Sequence, residues 1–350
     1  MNLIELITPA AIAAYFDEVY SNKIDYLGAG LFPAEKRMGL DLAWFKDVLG
    51  LPISLKPSAF DAKATFRDRI GVDKIVTEMP FFREGFKVKE RDRQEVLRLV
   101  GANDPYLPEV INRIFRDGAE LIAGADVVPE RMRMQLLFPI DGDLGIHIAA
   151  NGVNYVYNYD GAGTWKSNNY FVLTSTDKWD APSTADPVKT FQTVRNAIRG
   201  RTGAEPTVAI MNQATFDAMS ACASIVKRFD PVAVYITDAE ASAVLSRSLN
   251  ITPVVYDKMY KDESGTAHKF VPDGYVSFVP AGALGKTVYG TTPEEADLMG
   301  SGQADVQIVN TGVALTRETT VNPVNVNTFA SEIVLPTFET MDSVACIKVF

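Results

Sequence analysis

The residues best placed to do chemistry lie late in the chain, at Gly282-Ala283-Leu284-Gly285-Lys286-Thr287. Gly-Lys-Thr is the end of a phosphate-cradling loop, in which backbone N–H groups and a lysine hold a nucleotide's phosphates. That loop also needs a glycine five residues before Gly285, and the position is Pro280. The spacing therefore predicts a structural turn. The two histidines, His147 and His268, stand far apart with no cysteine at metal-ligand spacing, so neither a zinc site nor a Ser/His/Asp set can be built. Cys222 and Cys346 lie in apolar segments and read as buried free thiols. The pairs Glu294-Glu295 and Glu109/Arg113 read as charges on helix surfaces, with no base, nucleophile or metal ligand nearby to complete a site. The nearest basic and aromatic stretch, Phe81–Arg98, is balanced by Glu84, Glu90, Asp92 and Glu95, unlike a nucleic-acid module. No catalytic, cofactor-binding or metal-binding residue is nominated, and no enzyme activity is expected.

A chain of 350 residues, 47% hydrophobic and 22% charged, buries a large core and should divide into two or three lobes. Its net charge of −10 repels phosphates and argues against general nucleic-acid binding. No uncharged apolar run reaches the ~18 residues needed to cross a bilayer. Glu5 and the absence of early basic residues do not fit a signal peptide, and the Met1 start suggests that no leader has been removed.

The central element is Asp104–Phe138. Asp104 can cap it, Pro105 suits a first helical position, and Val110, Ile111, Ile114, Leu121, Ile122, Ala125 and Val128 recur at helical spacing. Pro129 removes a helical hydrogen bond, so a bend near Asp126–Val128 is expected; the alternative is two helices meeting there. Before it, Thr8-Pro9 opens a short helix whose stripe (Ile12, Phe16, Val19, Tyr20) needs a cover, so Met1–Pro33 reads as an arm that packs on a partner. Lys36–Leu49 reads as a strand. Residues 56–98 hold 11 Lys/Arg against 8 Asp/Glu, leaving 23 against 36 elsewhere. Such a basic extended segment suits the acidic surface of another copy; the alternative is a solvated flexible loop. After the helix, Gly145–Tyr159 alternates with period two around Asn151-Gly152, a hairpin signal. Helices are expected at Val188–Arg199, at Ala214–Arg228 capped by Asn212, and at Asp238–Leu249 capped by Thr237. Strands are expected at Thr207–Met211, Pro253–Tyr260 and Phe270–Phe278, giving an α/β lobe over about 187–290. The segments VQIVN, VALTRETTV, SEIVLPTF and SVACIKV read as strands that return to the long helix.

The order of these parts carries a resemblance. Its residues are Phe32-Pro33 before Arg37–Val48, Glu78-Met79-Pro80-Phe81-Phe82-Arg83-Glu84-Gly85-Phe86-Lys87-Val88-Lys89, Trp179 before Ala185-Asp186-Pro187, Lys269-Phe270-Val271-Pro272-Asp273-Gly274, and Gly285-Lys286-Thr287-Val288-Tyr289-Gly290. In that order the chain resembles, over nearly its whole length, the major capsid proteins of lambda-type tailed bacteriophages, the phage capsid E family.

The resemblance implies an α+β Hong Kong 97-like fold. It would comprise an N-terminal arm (1–35), an extended β-hairpin loop with flanking strands (36–100) and a peripheral domain with spine helix and β-hairpin (101–186). An axial α/β domain (187–290) and the peripheral domain's C-terminal strands (291–350) would follow. It further implies self-assembly into pentamers and hexamers of an icosahedral shell that encloses double-stranded DNA without specific binding. The implied partners are other copies of itself, a scaffolding protein separate from this chain, a portal and a decoration protein, with no membrane and no cofactor. The implied location is the virion, and the host cytoplasm during assembly. Some proteins of this fold crosslink a loop lysine to an asparagine; Lys56 or Lys63 would be the candidates, though no glutamate is marked to catalyse it. The alternatives are an encapsulin-type compartment shell and, from another class, a soluble α/β nucleotide-binding enzyme using Gly282–Thr287.

Overall fold

The computed structural model describes residues 7–19, 25–46, 74–88, 90–102, 106–150, 152–302, 304–321 and 324–350. In chain order come α1 (Pro9–Val19), α2 (Leu27–Leu31), β1 (Ala34–Lys36), β2 (Asp41–Phe45), β3 (Lys74–Glu78), β4 (Phe81–Lys87), α3 (Glu90–Ala102) and α4 (Leu107–Leu137). The middle holds β5 (Gly145–Ala150), β6 (Val153–Asn158), α5 (Thr164–Asn169), β7 (Tyr170–Val172), α6 (Pro187–Thr202), β8 (Pro206–Met211), α7 (Gln213–Ser220), α8 (Ala223–Phe229) and α9 (Asp238–Leu249). Then follow β9 (Thr252–Val255), β10 (Met259–Lys261), β11 (Ala267–Lys269), β12 (Tyr275–Pro280) and β13 (Thr287–Tyr289). A π-helical turn (Glu294–Leu298) precedes β14 (Asp305–Val309), β15 (Val313–Val321), β16 (Val324–Pro336) and β17 (Ala345–Lys348). No described helix is long and apolar enough to cross a membrane.

Two compact units result. The first takes residues 1–43, 76–131 and 286–337, and its sheet runs β1-β13-β16-β15-β14, with β4 also paired to β16. Its core gathers Ile12 and Phe16 of α1, Ile114, Ala119 and Ile122 of α4, Val96, Val309, Val313, Leu315 and Ala330. Thr8 caps α1 as expected, its Oγ1 accepting from the Ala11 N–H at 3.1 Å. Of the apolar stripe of α1, Ile12 and Phe16 are covered by this same chain, Val19 is exposed, and Tyr20 lies outside the described residues. Gly118 makes that cover possible, because a Cβ there would lie 2.7 Å from Ile12 Cγ2. Arg317 Nη1 donates to the Ile7 carbonyl at 3.0 Å and fixes the approach to the helix.

Helix α4 runs as one element past Pro129, so the two-helix alternative falls. Its expected start at Asp104-Pro105 lies outside the described residues. The strand expected over Lys36–Leu49 is two strands, β1 and β2, separated at Met38–Leu40, where Gly39 sits at φ 92°. Only glycine adopts that backbone without strain, so the strand cannot run through.

The second unit takes residues 44–75, 132–285 and 338–350. Its sheet runs β7-β17-β12-β8-β9, with a core that includes Trp179, Val188, Phe191, Ala209, Phe216, Leu245, Val276 and Phe278. Strand β17 belongs here, not with the spine helix as expected. Ala345, Cys346 and Ile347 are all buried, and such an unbroken apolar run demands a sheet interior, which pairing with both β12 and β7 supplies. The β5–β6 hairpin forms as expected, with Gly152 at φ 80°; Asn151 lies outside the described residues. Asp186 caps α6, which runs past Gly200 and stops at Gly203, φ 75°. The helix expected over 214–228 breaks into α7 and α8 at Cys222, where Ala223 N donates to the Pro182 carbonyl at 2.8 Å. Thr237 and Glu240 close a capping box on α9. The strands expected over 253–260 and 270–278 are shorter: β9 and β10 flank Tyr256–Lys258, and β12 begins only at Tyr275. Both cysteines are buried and free; burial pushes the Cys222 thiol up to about 11 and the Cys346 thiol higher still.

Candidate functional site: the junction in the first unit

Three stretches that carry the resemblance meet in one place. Thr287 at the head of β13 donates its N–H to the Pro33 carbonyl and its Oγ1 to the Phe32 carbonyl, both at 2.9 Å. That sets β1 parallel to β13, and Arg37 N then donates to Tyr289 O at 2.8 Å. At the end of β13, Gly290 N donates to Ile333 O. A Cβ on Gly290 would lie 2.7 Å from Ile333 Cγ2 and 2.9 Å from both Gly39 O and Met79 Cε. Three segments distant in sequence therefore press on one glycine.

On the neighbouring stretch of β16, β4 pairs antiparallel, with Gly85 opposite Phe329. A Cβ on Gly85 would come within 2.8 Å of Phe329 Cβ and 2.9 Å of the Thr328 carbonyl. Arg83 then lies 4.2 Å over the Phe329 ring and reaches Glu294 Oε1 at 2.8 Å. Glu294 is almost fully buried, and its other oxygen accepts from Ser331 Oγ at 2.8 Å. Its neighbour Glu295 is held by Lys36 Nζ at 2.6 Å, and the same ammonium donates to Gly290 O. Glu35 takes Lys286 Nζ and Arg37 Nε, both at 2.6 Å; these hydrogen bonds, Lys286 first, hold its carboxyl below the usual range.

The arrangement is mechanical. Glu294, Glu295 and Glu35 each lie against a cation and act as structural ties. The π-helical turn ties β1, β4 and β16 together through two adjacent glutamates. Glu294, expected on a helix surface, is instead a buried anchor. The sequence signal for that was thin: two acids after Thr292-Pro293, with partners found only on folding.

The residues with apparent chemistry take structural places. Lys286 pairs with Glu35, and Gly282–Thr287 leads into strand β13, not into the helix N-terminus that a phosphate loop needs. It is the structural turn expected. His147 lies on β5 with its backbone N–H bonded to Gln135 Oε1, and His268 Nε2 lies 2.8 Å from Asp262 on the β10–β11 hairpin. Glu109 and Arg113 are exposed on α4, as expected. Lys56 and Lys63 lie outside the described residues. The remaining resemblance motifs serve the second unit: Trp179 packs 6.1 Å from Phe191, and Lys269 pairs with Asp273 at 2.8 Å.

The model of the family described as phage major capsid protein E matches residues 8–342. Among solved structures, a putative capsid protein of a prophage of E. coli CFT073 is similar with a TM-score of 0.61 at 14% identity, over 98% of this chain and 99% of that one. A phage-related protein from Bordetella bronchiseptica RB50 gives 0.52 at 15% identity, covering 98% and 97%. The capsid asymmetric unit of cyanophage A-1(L) gives 0.51 at 13%, covering 93% and 92%. No curated protein matches by sequence. At these identities the solved structures establish the fold, which is the α+β Hong Kong 97-like capsid architecture.

Proposed function

The chain belongs to the phage major capsid protein E family and forms a capsid shell, and from that premise we propose that its copies close into pentamers and hexamers of an icosahedral shell enclosing double-stranded DNA. The observation that carries this reading is the family match over residues 8–342, together with a junction whose bonding is structural throughout. Its role is non-enzymatic. The junction fixes β1, β4 and β16 to one another, and most of the extended loop that the resemblance implies, residues 47–73, lies outside the described residues. Interface area that one subunit cannot bury alone is then shared around a ring by heterologous contacts. The net charge of −10 fits a shell that encloses packaged DNA without specific binding. A separate scaffolding protein, a portal and a decoration protein are the expected partners, in the host cytoplasm during assembly and in the virion afterwards.

Size-exclusion chromatography followed by electron microscopy of the purified material tests the reading. Angular shells of uniform size, with five- and six-fold capsomers and nuclease-protected DNA in virions, are expected. Cargo enzyme in place of DNA would point to an encapsulin-type compartment. A discrete monomer or dimer with scaffold co-expressed would refute the proposal.

A further inference from the structure

The second unit leaves its most conspicuous apolar surface at one end of its sheet. Between α8 and α9, Val232, Val234 and Tyr235 are 86, 90 and 85% exposed. The segment is not loose: Val232 N donates to Asp230 Oδ1, Ala233 N to Asp230 O, and the Thr237–Glu240 capping box fixes its far end. Holding three large apolar side chains in water in an ordered turn is unfavourable and marks an interaction surface.

A second projection leaves the same end. Val255 pairs with Met211 at the close of β8, and two residues on, Gln213 Nε2 reaches Asp238 of α9 at 3.3 Å, so both features sit where β8 and β9 finish. From β9 through Tyr256–Lys258 into β10, Val255, Asp257, Met259 and Lys261 are all exposed. The hairpin beyond is braced: Tyr260 packs 4.8 Å from Phe270, and the Asp262 carboxylate accepts from Ser264 and Thr266. Two braced, unlike surfaces on one molecule are what a ring-closing contact between identical subunits needs.

We propose that the segment 230–236 of one copy docks against the Val255–Lys261 stretch of the next copy. The proposal rests on the capsomer reading above and gives it a residue-level contact. The two surfaces complement each other: valines and tyrosine meet Val255 and Met259, while the exposed Lys227 beside the first meets the exposed Asp257 of the second.

The test uses the full chain carrying the photo-crosslinker p-benzoylphenylalanine at Tyr235, irradiated in assembled particles. Covalent multimers are expected, with crosslinked peptides joining residue 235 to a second copy's 252–262 stretch. Alongside, V232D/V234D should raise the concentration needed for assembly at least about tenfold, because it forces charge into an apolar contact, while leaving monomer melting unchanged. Normal shells in which residue 235 crosslinks elsewhere or not at all, or from which V232D/V234D assembles like the unmodified chain, would overturn the contact and leave the capsid reading standing. An unmodified chain that forms no rings would remove the capsomer reading itself.

Discussion

The buried end of the Arg83–Glu294 pair decides what its loss costs. Glu294 has a side-chain exposure of 2%, whereas Arg83 keeps 47%, so the two partners are far from equivalent. Replacing Arg83 by methionine leaves a carboxylate in the protein interior without its cation. Breaking a buried pair from that side costs about 3–5 kcal/mol, and the lost stacking on Phe329 adds about 0.5–1 kcal/mol. Replacing Glu294 by glutamine keeps an oxygen for Ser331 and strands only an arginine that water already reaches, so about 1 kcal/mol is expected. The double variant Arg83→Met/Glu294→Gln should then be milder than Arg83→Met alone, with a coupling of about 1–3 kcal/mol. At about 2–4 °C per kcal/mol for a unit of this size, Arg83→Met lowers Tm by roughly 10 °C, and Glu294→Gln by only a few degrees. Calorimetry on unassembled subunits, below the assembly concentration, reads this directly. Equal losses for the two single variants, or a larger loss for Glu294→Gln, would refute the reasoning from burial.

Gly85→Val should cost more than about 2 kcal/mol, since its Cβ meets backbone and Cβ atoms of β16 that cannot swing away; a denaturant melt that matches wild type would sink this. Phe16→Ala removes a buried ring from the α1 docking face and should cost about 3–5 kcal/mol. Hydrogen exchange should then speed up across Pro9–Val19 and not in β17; unchanged protection would mean that α1 is held by something else. Glu35 has a lowered folded carboxyl pKa, so its contribution is present above the ordinary carboxylate range and fades as pH falls through the lowered value. Because the group is about one-third exposed, Lys286→Met should remove well under 1 kcal/mol at pH 7, with the difference from wild type vanishing at low pH; a deficit that grew on acidification would have the wrong sign. The same variant should leave heats of mixing with Mg·ATP at the dilution baseline, as for wild type.

What could be read in the sequence follows the range of the forces involved. Thr8, Asp186, Asn212 and Thr237 each satisfy an N–H within three residues, so every one of these caps was visible in the chain itself. So was the β5–β6 hairpin. Breaks imposed from outside were not. The helix after Asn212 ends because Pro182 takes the Ala223 N–H, and nothing between residues 214 and 228 announces that. The destination of β17 was half visible: its unbroken apolar run demanded a sheet interior, but which sheet depends on partners in β7 and β12. The cover of the α1 stripe was likewise a question of what Gly118 left room for.

The junction shows why a chain whose sequence nominates no catalytic residue still carries motifs strong enough to recognise. Lys36 and Glu295 are 259 residues apart, so neither position means anything until the sheet closes. Once it closes, the demands on each residue become strict. Gly290 admits no side chain because three segments converge on it, Gly85 because Phe329 lies across from it, and Arg83 must span an aromatic ring to reach the buried Glu294 carboxylate. Those restrictions fall on the Phe32-Pro33, Glu78–Lys89 and Gly285–Gly290 stretches, the same stretches that made the resemblance. In an enzyme such fixed residues would surround a substrate. Here they hold β1, β4, β13 and β16 of one sheet in fixed register, a demand on sheet geometry that must be met identically in every copy of a shell subunit.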